Sequence, residues 1–189
     1  MAGDWLAANR SDVAAEKILD AAEELFAHRD AASVGMKDIA KASGCSRATL
    51  YRYFENRDAL YTAYVHRETH RVFRQLGEQL DAAADPGQRL VDGIIASLHE
   101  VRESRALSSW FAPSQRPIGG EIAERSEVIK ALTEAYLSAL GVDDVENRAR
   151  WLVRVIVSLL VFPGRDEADE RAMLEDFVLP TFALAQPAD

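Results

Sequence analysis

Apolar residues recur along most of the chain at the i, i+3, i+4 spacing of amphipathic helices, and no segment shows the alternation of a β-strand. The first such run places Ile18, Ala22 and Phe26 on one face. Ser11 is a good N-cap residue just before this run. The pattern therefore predicts a first helix from after Ser11 to about Arg29.

Two short helices are predicted next, one over 36–43 and one from Ser46. Gly44 separates them, and glycine readily adopts the left-handed conformation that ends a helix. Ser46 can cap the second short helix, while Leu50 and Phe54 face inward at i, i+4. Two short helices joined by a tight turn and packed on a preceding helix form a helix-turn-helix.

The remainder of the chain also has the periodicity of helices. A long helix is expected from Arg57 to about Ala83, ended by the Asp-Pro-Gly sequence at 85–87. A looser stretch at 106–120 contains two prolines and two glycines and is predicted to be mainly loop. Further helices are predicted at about 88–104, 120–140, 145–162 and 167–185, with Pro180 bending or ending the last one.

These patterns predict an all-α protein of about nine helices. A helix-turn-helix unit of three helices would occupy 11–56, and a larger helical bundle would occupy 57–186. The long fourth helix would join the two units in place of a flexible linker.

Composition supports a helical protein of the cytoplasm. The chain is rich in Ala, Leu, Glu and Arg, and its single cysteine, Cys45, excludes an intramolecular disulfide. The N-terminus has an early acid and no apolar run, which is not typical of a secretory signal. The most apolar segment, 151–162, is too short to span a bilayer and contains Arg154, so no membrane association is expected.

Charge is distributed unevenly along this acidic chain, whose formal net charge is −9. From Lys41 to Arg57 there are four basic residues and one acid, Glu55. A local basic patch can attract nucleic acid despite the acidic total, because charges separated by more than about 8–10 Å are largely screened.

The second short helix has the side chains needed to bind DNA. Its N-terminus attracts phosphate through unpaired backbone N–H groups, and the guanidinium of Arg47 can bind a guanine edge in two places. Neighbouring hydroxyl and aromatic groups can contact phosphates or thymine methyl groups, and a basic residue near the start of each flanking helix can hold the backbone. The predicted DNA contacts are Lys37, Ser46, Arg47, Ala48, Thr49, Tyr51, Tyr53 and Arg57.

The segment 17–65 resembles the DNA-binding domain of the TetR family of transcriptional regulators. The resemblance rests on Asp-Ile-Ala at 38–40, on the pattern G-x-S-x-x-T-L-Y-x-Y-F at 44–54, and on a basic residue, Arg57, that opens the fourth helix. It covers about a quarter of the chain. Membership would imply an all-helical homodimer whose C-terminal bundle binds a small molecule and whose last two long helices pair with those of a partner.

The segment 145–162 is apolar on nearly all sides, and such a helix must be covered by several neighbours. A partner subunit is the favoured cover, and a central core helix of a monomer is the alternative. The predicted dimer-interface residues are Leu152, Ile156, Leu159, Val161, Phe177 and Phe182.

An apolar ligand pocket is expected between the long helix and the bundle. Its predicted lining residues are Tyr64, Phe73, Leu98, Val101, Trp110, Phe111, Tyr136 and Trp151. Ordinary core packing is the alternative for each of them. Trp110 and Phe111 are the strongest candidates, because they lie in the irregular segment with its prolines.

The leading functional hypothesis is a homodimeric repressor that binds a double-stranded DNA operator and is released by a small apolar or aromatic effector. A helical enzyme is less favoured, because only His66, His70 and His99 suggest a metal site, and hydrogen-bonded or solvated histidines explain them as well. A helix-turn-helix adaptor that binds protein is the third hypothesis. No cofactor, metal or catalytic residue is predicted.

Overall fold

The computed structural model describes residues 4–79, 85–111 and 118–182, with side chains described from residue 12 onward in the first range. These residues form ten α-helices and no β-strand. A 3-10 turn at Ala31–Ser33 follows α1, and a π-helical turn at Leu174–Val178 and a 3-10 turn at Leu179–Phe182 follow α10. The helices are α1 (Asp4–His28), α2 (Met36–Ala42), α3 (Arg47–Tyr53), α4 (Arg57–Gln79), α5 (Pro86–Glu103), α6 (Arg105–Ser108), α7 (Gly119–Arg125), α8 (Glu127–Ala139), α9 (Val145–Val161) and α10 (Glu167–Met173).

Three predicted boundaries need correction. Helix α1 begins at Asp4 and runs through Ser11, because residues 4–10 include no Gly or Pro. The predicted helix at 120–140 is divided at Ser126, whose hydroxyl accepts from the Ile129 N–H at 3.2 Å and caps α8. Within the predicted loop 106–120, α6 and the start of α7 are helical, while 112–117 lie outside the described residues.

The Asp-Pro-Gly sequence after α4 begins the next helix. The Asp85 carboxylate accepts from the backbone N–H groups of Gly87 and Gln88 at 2.9 and 3.1 Å, and Pro86 occupies the first helical position. Both features are typical of helix N-termini. The predicted end of α4 near Ala83 lies outside the described residues.

The last helix changes its winding before Pro180. It is α-helical to Met173 and then forms the π-helical and 3-10 turns that end at Phe182. Proline lacks the N–H that a continuing α-helix needs, so this change agrees with the predicted bend or end near Pro180. The predicted segment 183–185 lies outside the described residues.

The first hydrophobic core joins the helix-turn-helix to α4 and α6. Phe26 of α1, Tyr61 and Tyr64 of α4, and Trp110 after α6 form a cluster in which ring centroids lie 5.0 to 5.6 Å apart. All four side chains are at least 98% buried. We call these four residues the aromatic cluster, and it ties the N-terminal unit rigidly to the bundle.

The second core holds the bundle together. It lies among α5, α8, α9 and the turns after α10, with Leu90, Leu98, Leu137 and Phe182 completely buried. Tyr136 supports this core by donating a 2.6 Å hydrogen bond to the Arg89 carbonyl. Burial raises the pKa of the Tyr136 hydroxyl to about 12, so it remains a donor at neutral pH.

Gly44 ends α2 in the left-handed conformation, with φ of 68°. Its N–H donates to the Lys41 carbonyl, and the Cys45 N–H donates to the Ala40 carbonyl at 3.1 Å. This pair of bonds is a Schellman motif, and it turns the chain sharply toward α3.

We expect Gly44→Ala to lower the free energy of unfolding by about 1–2 kcal/mol, the cost of the left-handed conformation for an L-residue. A β-carbon at Gly44 would meet no atom within 4 Å, so steric clash does not contribute. Urea unfolding followed by circular dichroism measures the change. Gly77→Ala is the matched control, because Gly77 lies exposed within α4 with equally open space, and it should stabilise the protein by about 0.5–1 kcal/mol. Equal effects of the two substitutions would contradict the turn geometry.

Candidate DNA-binding site and ligand pocket

The start of α3 is held in place by a local capping interaction. The Ser46 hydroxyl accepts from the Thr49 N–H at 3.0 Å and lies 2.8 Å from the Thr49 hydroxyl. Leu50, which is completely buried, and Phe54 anchor the other face of the helix in the first core. The cap and these two anchors determine which side of α3 faces outward.

The outward face of α3 carries Arg47, Ala48 and Tyr51, all of which are exposed together with Ser46. Arg47 is the first residue of the helix, where the helix dipole and free N–H groups favour phosphate. Thr49 is half-buried and shares its hydroxyl with the cap. Tyr53 is also half-buried, with the Arg52 guanidinium 5.3 Å from its ring centroid.

Lys37 and Arg57 lie near the starts of α2 and α4 and are both exposed. The Arg57 guanidinium donates to the Ala32 carbonyl at 3.3 Å and lies 5.2 Å from the ring centroid of Tyr61. The Asp38 carboxylate accepts from the Gly35 N–H at 3.1 Å, and this bond lowers the pKa of Asp38. The α2 N-terminus is thus capped by Asp38, while the Lys37 side chain remains free to reach outward.

A cavity of about 140 Å³ lies in the bundle, with walls from α4, α5, α7, α8 and α9 and from the residues around Trp110. Most of the wall is aliphatic or aromatic. Four predicted pocket residues are brought together here, and they are Phe73, Val101, Trp110 and Phe111.

The other four predicted pocket residues lie elsewhere. Tyr64 belongs to the aromatic cluster, and Leu98 and Tyr136 pack in the second core. Trp151 is half exposed on α9 and does not belong to the described cavity wall. Periodicity placed all four on apolar positions, but the neighbours that cover each position come from distant parts of the chain.

Among the described residues that line the cavity, Glu68 is the one with an ionisable side chain. It was not among the pocket residues predicted from the sequence. It is 3% exposed and accepts from Arg67 Nε at 3.1 Å and from Arg71 Nε at 2.8 Å. A sequence signal does exist, because Glu68 lies four residues from both Tyr64 and Val72 on the buried face of α4.

Arg67 links this carboxylate to α1. Its guanidinium donates to Asp20 at 2.7 Å and to Glu23 at 2.6 Å, and it lies 3.3 Å from a carboxylate oxygen of Glu16. Burial, followed by the nearby charge of Glu68, raises the pKa of Glu23. One arginine therefore joins the wall of the cavity to the first helix of the N-terminal unit.

Comparison with known proteins assigns this architecture. Residues 18–64 match the family model described as bacterial regulatory proteins, tetR family. Over its full length the chain is 57% identical to the HTH-type transcriptional regulator Rv1255c of Mycobacterium tuberculosis, covering 95% of that protein. The chain belongs to the TetR family. It is therefore a transcriptional regulator with a helix-turn-helix, as the resemblance of its sequence indicated.

Solved structures of two other proteins have the same fold. The structure of RolR in complex with resorcinol matches with a TM-score of 0.73 at 16% identity, covering 94% of this chain and 91% of RolR. The structure of the repressor AlkX from Dietzia sp., implicated in biodegradation of n-alkanes, matches with a TM-score of 0.65 at 23% identity, covering 88% and 93% of the two chains.

Two of the residues predicted at a TetR-type dimer interface are buried within the subunit. Leu152 and Phe182 are 2% and 0% exposed in the second core, so they are not available to a partner. Ile156 lines the cavity, and Leu159 and Val161 are half-buried. Phe177 differs from all of these, because 72% of it is exposed.

The three histidines considered as metal ligands do not converge. His99 is 2.9 Å from Glu167, and His66 is half-buried with a pKa lowered by burial and by His70. The residues described here include no group of three or more side chains suited to holding a metal ion. In the same part of the chain, every helix is too short or too polar to cross a bilayer.

Proposed function

We propose that this TetR-family regulator is a homodimeric repressor that binds a DNA operator and is released by a small apolar or aromatic ligand. The observation that carries the proposal is the connection between two sites by α4. Arg57 opens this helix beside the DNA-binding face, and Phe73, four turns later, lines the cavity. At 1.5 Å per residue the helix is about 34 Å long, so it reaches from one site to the other.

Two contacts connect α4 to the helix-turn-helix and to the cavity wall. The Tyr61 hydroxyl lies 2.6 Å from the carbonyl oxygens of both Ala31 and Val34, which share its single proton as acceptors. This contact holds α4 to the turn that precedes α2. Trp110 belongs both to the cavity wall and to the aromatic cluster. A ligand that moves Trp110 therefore acts on the same residues that orient the helix-turn-helix.

The release mechanism is a shift between two conformations. A dimer binds successive major grooves when its two α3 helices are about 34–36 Å apart. A ligand that prefers a state with another spacing lowers DNA affinity by the ratio of its affinities for the two states. The structural neighbour RolR was solved with resorcinol, a small aromatic compound, which supports a ligand of this kind.

Selection of genomic fragments by the purified protein, followed by a salt titration of binding, tests this proposal. We expect a near-palindromic site and an affinity that falls steeply as salt rises, because arginines and lysines release counterions from phosphate. Absence of any enriched fragment, together with salt-independent binding, would contradict the proposed DNA-binding function and favour a protein adaptor.

The dimer interface is proposed on the exposed stripe of α9 and the neighbouring turn. Trp151, Val155, Ser158 and Phe162 follow at i, i+4, i+7 and i+11; Phe162 is 76% exposed, whereas Val155 is half-buried against the second core. Exposed aromatic side chains are enriched at the centres of protein interfaces. Phe177 adds a second exposed ring from the segment that follows α10.

We expect Phe177→Glu to shift the protein from dimer to monomer, because a buried unpaired charge at an interface costs several kcal/mol. Analytical ultracentrifugation across a range of protein concentrations measures the effect. Val13→Glu is the matched control, since Val13 is a 50% exposed apolar residue on α1 outside the proposed interface. A mass unchanged by Phe177→Glu at every concentration would place the interface on another surface.

A further inference from the structure

The polar groups of the cavity wall offer an unusual combination of hydrogen-bonding partners. The hydroxyls of Thr69, Ser97 and Thr133 each donate at 2.7 Å to a backbone carbonyl one turn earlier in their own helix. Their protons are therefore engaged, and only their lone pairs can face a ligand. Glu68 is the ionisable residue among the described residues of this wall.

The positive charges next to Glu68 already have carboxylate partners. Both guanidinium groups nearest to Glu68 donate to it, and Arg67 also binds Asp20 and Glu23 of α1. Neither Arg67 nor Arg71 belongs to the described cavity wall. An anionic ligand would thus bring its charge against a buried carboxylate, with no cationic side chain in the described part of the wall to compensate it. Like charges at close range are strongly unfavourable.

Glu68 retains the capacity to accept from a ligand. A carboxylate has about four lone-pair positions, and the two arginines use one on each oxygen. A hydroxyl group suits this wall well, because it can donate to Glu68.

The size of the cavity favours a compact ligand. Its volume is about 140 Å³. An apolar cavity of about 150 Å³ engineered in another protein binds benzene. The space therefore suits a compound with one ring or a similarly compact shape.

We infer that the effector is a neutral, compact molecule that carries a hydroxyl group, and that Glu68 determines its specificity by accepting the hydroxyl proton. The inference rests on the proposed ligand-released function and specifies its ligand class. The same contact has a route to the DNA-binding unit, because Arg67 donates to the Glu68 carboxylate that would receive the ligand. Arg67 in turn holds α1 through Asp20 and Glu23.

Three probes of similar size test this inference on the unaltered protein by isothermal titration calorimetry. Phenol has a ring and a hydroxyl, toluene has only apolar groups, and benzoate carries a negative charge. We expect phenol to bind about tenfold more tightly than toluene, through a hydrogen bond to a charged acceptor. Benzoate should bind at least about 100-fold more weakly than phenol. Benzoate that binds as tightly as phenol, or no binding of any probe at millimolar concentration, would overturn the inference.

Glu68→Gln should remove most of the preference for phenol over toluene and reduce the discrimination against benzoate. Glu23→Gln is the matched control, since Glu23 also binds Arg67 but does not belong to the cavity wall, and it should leave the probe ranking unchanged. Circular dichroism of each variant checks that it is folded, and the probe series on the unaltered protein stands independently of them. An unchanged ranking in folded Glu68→Gln would contradict the role of Glu68.

Operator binding without any probe separates this inference from the proposed function. A protein that binds its selected DNA fragment but ignores phenol would overturn the assigned ligand class alone. A protein that binds phenol but no DNA fragment would overturn the repressor proposal and leave the assignment of Glu68 intact.

Discussion

Arg47→Ala should weaken binding to the selected operator by about 10–100-fold, which corresponds to about 1–3 kcal/mol for a two-pronged contact with a guanine. Arg47 is exposed at the first position of α3, on a helix that Leu50 and Phe54 anchor from the other side. No ion pair or hydrogen bond within the described residues requires its side chain, so the substitution should leave the free energy of unfolding nearly unchanged.

The loss should depend on DNA sequence. If Arg47 reads a base edge, its removal should lower operator affinity far more than affinity for unrelated DNA. Arg57→Ala should weaken binding to operator and to unrelated DNA by a similar factor. It should also reduce the slope of log affinity against log salt concentration by about one unit, as expected for a phosphate contact. Fluorescence anisotropy with operator and scrambled duplexes, at several salt concentrations, distinguishes the two behaviours.

The matched control for both arginines is Arg74→Ala. Arg74 is also exposed on α4 but lies 17 residues after Arg57, toward the far end of the helix. Its loss should change operator affinity by less than about twofold, because exposed charges separated by more than a Debye length are screened. Operator binding by Arg47→Ala at the level of Arg74→Ala would mean that α3 does not enter the groove by its N-terminus.

Trp110→Ala should have the largest effect on stability, a loss of about 3–5 kcal/mol in the free energy of unfolding. The indole is 2% exposed and packs against Phe26, Tyr61 and Tyr64 at centroid distances of 5.0 to 5.6 Å. Its removal opens a void at the junction of the helix-turn-helix with the bundle. We expect the variant to lose ligand response as well, since the cavity and α4 would no longer share this contact.

Trp110→Phe keeps one aromatic ring in the cluster and removes the rest of the indole. The indole Nε1–H has no hydrogen-bond partner among the described residues, so the substitution removes no hydrogen bond. Phenylalanine keeps one aromatic ring and loses only part of the packed volume. We expect a cost of about 1–2 kcal/mol, well below that of alanine. Chemical unfolding followed by far-UV circular dichroism compares both variants without relying on tryptophan fluorescence. Equal stability of Trp110→Ala and the unaltered protein would contradict the structural role of the cluster.

The N-terminal unit could be predicted closely because its signals are local. The cap at Ser46, the left-handed glycine at Gly44 and the inward pair Leu50 and Phe54 act within a few residues of each other. The sequence pattern predicted the bounds of α2 and the start of α3 to within about one residue. It missed the early start of α1, because a good cap residue such as Ser11 also tolerates the interior of a helix.

The bundle was harder to predict because α9 is apolar on nearly all sides. Trp151 and Leu152 are adjacent in sequence, yet the first is half exposed and the second is buried in the second core. Periodicity cannot rank the faces of such a helix, since burial depends on which neighbours cover each face. The same reason explains why only half of the predicted pocket residues line the cavity.

By itself the sequence determined that the protein is all-helical, that it carries a helix-turn-helix with Arg47 at the start of the second short helix, and that it resembles the TetR family. These properties follow from helical periodicity, capping and turn residues, which act over a few residues. Only the tertiary structure decided that Glu68 is buried in a cavity wall, that Trp110 joins this wall to Tyr61 and Tyr64, and that Phe177 stays exposed. Each of these depends on contacts between segments far apart in the chain, whose packing no local pattern specifies.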